Sequence, residues 1–220
     1  MRLGRFLVLA GLLLAALSGP ASASIGPAFS LQHLLKDTDC EAAPELVGDW
    51  SSDDLNGVWS FQNLGDRKYR LIQKKESSDN SNRMAFDICV AHLGSYLFFD
   101  ATSQTVQSDG KKTLLGGDDD FWIPLHLFGR LDIENDAIHF RLLDDTWLQD
   151  ALKAGRVHLT CARDDEGGYI LTAPSSELKQ FATLFANDPR AFSFDEEFAR
   201  APSESAHQHQ RFENSETSDH

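Results

Sequence analysis

The chain has 220 residues, 41% of them hydrophobic and 25% charged, which is enough for a sizeable core and excludes a wholly disordered protein. Its formal net charge of −14 argues against nonspecific binding to nucleic acid or anionic lipid, which needs a basic surface. Fifteen phenylalanines against two methionines predict a rigid aromatic interior rather than an adaptable one.

Arg2 and Arg5 precede an apolar run from Phe6 to Leu17, and Ala21-Ser22-Ala23 then places small residues ahead of Ser24. A positive segment, an apolar segment and a small-residue cleavage site read as a secretory signal peptide over residues 1–23. The run is short for a transmembrane helix, and no second long one follows. The mature chain is therefore expected to be soluble and exported, periplasmic or secreted. Lys36-Asp37-Thr38-Asp39 ahead of Cys40 is charged, unlike the small apolar residues before a lipid-modified cysteine. Residues 24–44, bracketed by Pro27 and Pro44, have poor periodicity and read as an N-terminal tether.

A folded domain is expected over residues 45–195. Gly57 to Asn63 alternates with Trp59 and Phe61 on one side, and Arg67 to Lys75 puts Tyr69 and Leu71 on one face. Met84, Phe86, Ile88, Val90 and His92 share a face of the next strand. Tyr96 to Asp100 is apolar on both sides and should be covered on both. After a long polar connection comes the clearest hairpin, Phe121 to Ile133 answered by Ala137 to Leu143. Its first arm puts Ile123, Leu125, Leu127, Leu131 and Ile133 on one face and Trp122, Pro124, His126, Phe128 and Arg130 on the other. Its second arm turns Ile138, Phe140 and Leu142 inward. Pro124 cannot donate to a ladder, so it belongs at an edge or bulge.

Asp144-Asp145 caps a short helix with a Trp147, Leu148, Ala151 and Leu152 stripe that stops at Gly155. A last pair of strands follows, with Val157, Leu159 and Cys161 on one arm and Tyr169 to Thr172 as the other. A second helix then opens at Pro174, with Leu178, Phe181, Ala182 and Phe185 on one face. Residues 196–220 lack periodicity and read as a disordered acidic tail. The sum is a mainly β fold: an antiparallel up-and-down barrel of about eight strands, with a short helix before the last strands and a C-terminal helix packed outside.

Gly48-Asp49-Trp50 resembles the Gly-x-Trp signature of the first lipocalin strand. The resemblance implies that the tryptophan plugs the closed end of the barrel. It also implies an arginine from a late strand stacked on that tryptophan; no residue matches it clearly, Arg156 and Arg163 being the candidates. Leu46 to Trp50, Ile123 to Phe128, Leu143 to Leu148 and Leu171 to Leu178 together resemble a group of exported bacterial proteins without an assigned activity. That resemblance spans about residues 45 to 195 and carries no catalytic residues with it.

His126 lies among apolar residues, where a hydrogen-bonded structural histidine is the commoner case. Parity places it opposite Ile123, Leu125 and Leu127, outside the barrel and under the second helix. A metal shared by His126, His139 and His158 needs all three to point one way, whereas His139 and His158 take polar positions. Asp118-Asp119-Asp120 lacks the spacing of an EF-hand and reads as a solvated loop. The tail histidines His207, His209 and His220 read as part of a polar terminus. Neither a Gly-x-Ser-x-Gly motif nor a phosphate-binding glycine loop occurs, and no cofactor is implied. The three cysteines suggest one disulfide and one spare thiol. By parity Cys89 faces away from Phe86, Ile88 and Val90, where it can accept Cys40 from the tether, while Cys161 stays with Val157 and Leu159.

These residues lead to an expected ligand-binding barrel. Phe61, Tyr69, Phe86, Ile88, Phe140 and Tyr169 would line an interior that takes a small apolar or amphipathic ligand. The alternative is a barrel packed solid by the same side chains and acting as a binding or assembly module in the envelope. An exported hydrolase built on His126 is the third reading.

Overall fold

A computed structural model describes residues 26–52, 57–74, 85–104, 107–108, 111–112, 124–134, 136–163 and 168–201. In chain order the elements are β1 (Phe29–Ser30), β2 (Gly48–Ser52), β3 (Gly57–Gly65), β4 (Lys68–Lys74), β5 (Ala85–Leu93) and β6 (Tyr96–Gln104). A separate two-stranded ribbon, β7 (Gln107–Ser108) and β8 (Lys111–Lys112), precedes β9 (His126–Glu134) and β10 (Ala137–Leu142). Helix α1 (Asp145–Lys153), β11 (Cys161–Arg163), β12 (Tyr169–Leu171), helix α2 (Ser175–Phe185) and β13 (Phe194–Arg200) complete the set. The expected signal peptide, Met84, the acidic run at residues 118–120, Phe121 to Ile123 and the tail histidines lie outside the described residues.

Eight strands, β2, β3, β4, β5, β6, β9, β10 and β13, form a closed antiparallel barrel. Closure comes from β13, which pairs with β10 from Phe194 to Ala199 and with β2 through Ala199↔Ser51 and Arg200↔Trp50. The order of strands therefore returns to its start, which closes the wall among the described residues. The alternation in β3, β4, β5, β9 and β10, with the doubly apolar β6, predicts this meander correctly. β13 is the exception, since it crosses the boundary at residues 195 and 196 where the tail was expected to begin. Its inward positions are Phe194, Glu196 and Phe198, and the acid in the middle breaks the apolar pattern that marks a strand.

The last predicted strand pair also has a different place. β11 and β12 pair with each other and with β1, which runs parallel to β12, so they form an annex outside the barrel. The annex joins the wall through β1, whose Ser30 pairs with His126 at the start of β9. The segment expected as a tether is part of the fold. Ser30, Leu34 and Cys40 are fully buried, and Leu31 N–H donates to the Leu171 carbonyl. It crosses the outer wall as a strap, fixed there by a Cys40–Cys89 disulfide, the pairing that strand parity predicts. Cys161 remains a free thiol and is half-buried.

Two cores result. One fills the barrel. The other lies between the outer faces of β5, β6 and β9, through Ala91, Phe98 and Phe128, and the apolar faces of α1 and α2. Phe98 outside and Phe99 inside make β6 buried on both faces, as its sequence requires. Helix α1 is capped by Asp144, whose carboxylate accepts the Trp147 N–H at 2.8 Å. Helix α2 lies on the outer wall through Leu178, Phe181 and Ala182, as expected of the C-terminal helix. Arg130 holds its far end, donating to the Ala186 carbonyl at 3.0 Å. Gly129 is required where β9 passes β10, because a Cβ there would run into the Arg141 backbone carbonyl.

Candidate functional site

The interior of the barrel is organised by strand direction. β2, β4, β6 and β10 run from one end, the base, toward the other, the rim; β3, β5, β9 and β13 run back. The base is closed by the 3₁₀ turn Pro44–Leu46 and by Trp50, both fully withdrawn from solvent at Leu46 and at the indole. Trp50 Nε1–H donates to the Leu46 carbonyl at 2.8 Å, so the buried ring leaves no donor unmet. The Arg200 guanidinium lies 4.1 Å from the centre of the Trp50 ring and donates to the Glu45 carbonyl at 3.1 Å.

This geometry gives a physical reason for the glycine and the tryptophan of Gly48-Asp49-Trp50. Gly48 has φ +135°, a left-handed conformation that a side chain resists, and a Cβ there would sit 2.9 Å from the Arg200 guanidinium. Trp50 supplies a large, fully buried ring beneath the interior cluster, tied to the Leu46 carbonyl. The arginine that stacks on Trp50 is Arg200, from the last barrel strand. The two candidates named from sequence are elsewhere: Arg156 lies over Trp147 and Arg163 over Tyr169. Arg200 was missed because its strand was read as tail.

Above the plug the floor is aromatic. Trp59, Phe61, Tyr69, Phe99, Phe140 and Phe198 are all withdrawn from solvent. Phe140 is the hub, with ring centres 4.8 Å from Phe99, 5.5 Å from Phe198 and 6.0 Å from Phe61. Tyr69 is pinned by the strap, since its hydroxyl accepts the Ala43 N–H at 2.7 Å. Toward the rim the inward positions change character. β2 ends on Ser52, β4 on Gln73, and β6 on Ala101 and Ser103; Phe86 and Phe194 are half-buried. Rings therefore crowd the lower barrel, while the upper wall mixes the small or polar Ser52, Gln73, Ala101 and Ser103 with Phe86 and Phe194.

The six residues expected to line the interior divide accordingly. Phe61, Tyr69, Ile88 and Phe140 belong to the buried cluster, and Phe86 packs against it from nearer the rim. Tyr169 does not share this place. It lies on β12 in the annex, half-buried, with Arg163 over its ring. Sequence alternation could not reveal this, because a short strand in an annex alternates as a barrel strand does.

His126 is outside the barrel, as parity predicts, but the strap and not α2 covers it. Its Nδ1–H donates to Asp100 at 2.6 Å, with both residues 4% exposed. The other Asp100 oxygen accepts the Leu35 N–H of the strap at 3.0 Å, and the His33 ring packs edge-on at 4.5 Å. A histidine oriented by a carboxylate can act as a base, yet the neighbouring Ser30 hydroxyl is fully buried and donates to the Gln32 carbonyl at 2.8 Å. The dyad pins the strap to the wall. His139 stands beside Asp195 and His158 is exposed, so the three histidines do not converge. Among the described residues no group of three or more His, Cys, Asp and Glu side chains is arranged to hold a metal.

Charges on the outer wall are cross-braced. Asp132 accepts from Arg141 at 2.6 Å and from Arg130 at 3.0 Å. Burial pushes the Asp132 carboxyl up, but the hydrogen bonds from these two guanidinium groups outweigh it and hold the group below its usual value. Asp39 on the strap behaves alike: burial raises it, and the bond from Lys179 of α2 at 2.6 Å brings it below its usual value. No helix among the described residues is long and apolar enough to cross a membrane. Comparison with protein-family models, with curated proteins and with solved structures gives no match.

Proposed function

We propose that the protein is an exported lipocalin-like carrier that takes a small amphipathic ligand in the upper part of its barrel. The observation that carries this reading is the gradient of side-chain size along the inward faces. Trp50, Trp59, Phe61 and Phe140 fill the base, while Ser52, Ala101 and Ser103 stand above them. A base closed by rings and small or polar side chains higher on the wall are what a cup, apolar at its floor and polar near its mouth, requires. The Arg200–Trp50 stack supports the lipocalin-like reading, and the Cys40–Cys89 bridge supports an oxidising destination outside the cytoplasm.

A second reading has its own observation. Phe140 on β10 stacks face to face with Phe61 on β3, with β13 and β2 between the two strands in the wall, at an interplanar angle of 5°. Rings in contact at that level favour a solid core and a protein that works through its outer surface. The two readings separate in one experiment. The carrier should take up a fluorescent fatty acid saturably at one per chain, or copurify with lipid visible by native mass spectrometry. A protein that does neither is a solid module.

A further inference from the structure

The Cys40–Cys89 bridge sits where the strap meets both the outside and the inside of the barrel. Cys89 is on the outer face of β5, directly opposite Lys68 of β4. The next residue of β4, Tyr69, turns inward, and its hydroxyl accepts the Ala43 N–H of the strap at 2.7 Å. Ala43 leads into the Pro44–Leu46 turn that closes the base, and its carbonyl accepts the Leu46 N–H at 3.1 Å. The other ties of this part of the strap are slighter. Asp37–Lys68 at 2.7 Å and Glu41–His92 at 2.6 Å are open to solvent, where such pairs hold a segment loosely. Asp39–Lys179 is half-buried, and the Glu41 N–H donates to the Val90 carbonyl at 2.7 Å. Two features suit the bridge to opening. Cys40 is fully buried but Cys89 only half-buried, so one sulfur can be approached from solvent. The Lys36 carbonyl oxygen lies 3.6 Å from Cys40 Sγ and 3.9 Å from Cys89 Sγ, so the reduced pair finds an acceptor already in place. The Lys68 ammonium across from Cys89 favours its thiolate.

We propose that Cys40–Cys89 is a reducible latch: a dithiol reductant opens it in the folded protein, the strap leaves the wall around Cys40, and the base of the barrel loosens through Tyr69. One thiolate of the reductant attacks Cys89 Sγ, and Cys40 leaves and takes a proton. The second thiol of the reductant attacks the mixed disulfide, Cys89 leaves as a thiolate, and the reductant departs as its own disulfide. The latch works the same way whether the barrel holds a ligand or is solid. The test uses the full chain with Cys161→Ser, so that Cys40 and Cys89 are its only cysteines. Dithiothreitol is added without denaturant, and thiol titration and amide hydrogen exchange by NMR follow the result. Both thiols should appear while the protein stays folded. Exchange at Glu41, Ala43 and Leu46 should accelerate at least about tenfold, with the β5–β6 ladder changed by less than about twofold. A bridge that yields thiols only once denaturant unfolds the chain overturns the proposal. So does a reduced protein whose strap amides keep their protection, or one in which every amide accelerates together. In the oxidised protein, Tyr69→Phe should accelerate Ala43 while Glu41 stays protected; an unchanged Ala43 overturns the link to the barrel interior. Should Cys161→Ser fail to fold, the unmodified chain alkylated at Cys161 beforehand takes its place.

Discussion

Arg200→Ala tests whether the C-terminal strand closes the barrel as described. The change removes a cation over the Trp50 ring, worth about 1 kcal/mol, and a charge-assisted bond to the Glu45 carbonyl. The side chain is 38% exposed, so that bond is discounted, and the expected loss is about 2 kcal/mol. In a chain of this size that is a fall in Tm of about 4–8 °C, read by calorimetry, with a change in the near-ultraviolet dichroism of the buried Trp50. Arg156→Ala is the control: it also removes an arginine over a tryptophan, at 5.6 Å and with no carbonyl bond, and should cost under about 1 kcal/mol. A double-mutant cycle sharpens the result. Gly48→Ala should cost about 1–3 kcal/mol from its φ of +135°. That cost should be smaller by about 0.5–1 kcal/mol when Arg200 is absent, because the guanidinium 2.9 Å from the new Cβ is gone. An Arg200→Ala loss no larger than that of Arg156→Ala refutes the reasoning. So does a Gly48→Ala cost that is the same in both backgrounds.

Three further outcomes follow from the strap and the outer wall. Thiol labelling of the unreduced protein should modify Cys161 alone. Cys40→Ser should lower stability in denaturant by about 2–4 kcal/mol, since the Cys40–Cys89 bridge spans a sequence separation of 49 residues. His126→Ala leaves Asp100 buried without its imidazole and should cost about 3 kcal/mol, with hydrogen exchange at Leu35 accelerated as the strap loosens. In acid, Asp39 and Asp132 have folded pKa values below their unfolded ones. Their stabilisation is present above the unfolded carboxylate range, near pH 4, and is lost as the pH falls through the folded values. Unfolding curves should therefore show this contribution constant from neutrality to about pH 5 and lost below about pH 4, and Asp132→Asn should flatten that fall.

The barrel was legible because most of its strands bury one face and alternate cleanly. Trp59 and Phe61 on β3, Tyr69 and Leu71 on β4, and Ile138, Phe140 and Leu142 on β10 all point where period-two reading puts them. The cap at Asp144 and the stripe of α2 were equally plain, because capping and helical periodicity are local. What was not legible depended on distant partners. β13 has only two apolar inward residues around Glu196, and nothing nearby in sequence says that this segment meets β10 and β2. Arg200 and its tryptophan are brought together only by that closure. Tyr169 alternates properly, yet its strand pairs with the strap instead of the barrel, a choice made by β1. The strap itself shows no periodicity, being buried between layers through single residues such as Leu34 and Cys40 and through its bonds to Asp100 and Tyr69.

The central claim is that a ligand occupies the upper barrel, above the aromatic floor. Ser103 points inward there from β6, opposite Phe86, and is 3% exposed. A saturable fluorescent fatty-acid titration of the unmodified protein and of Ser103→Phe, with a thermal melt of each, tests it directly. The account predicts one site per chain in the unmodified protein and at least about tenfold weaker binding by a folded Ser103→Phe, whose ring occupies the ligand's place. Undiminished binding by that folded variant, or no binding by the unmodified protein, would contradict it.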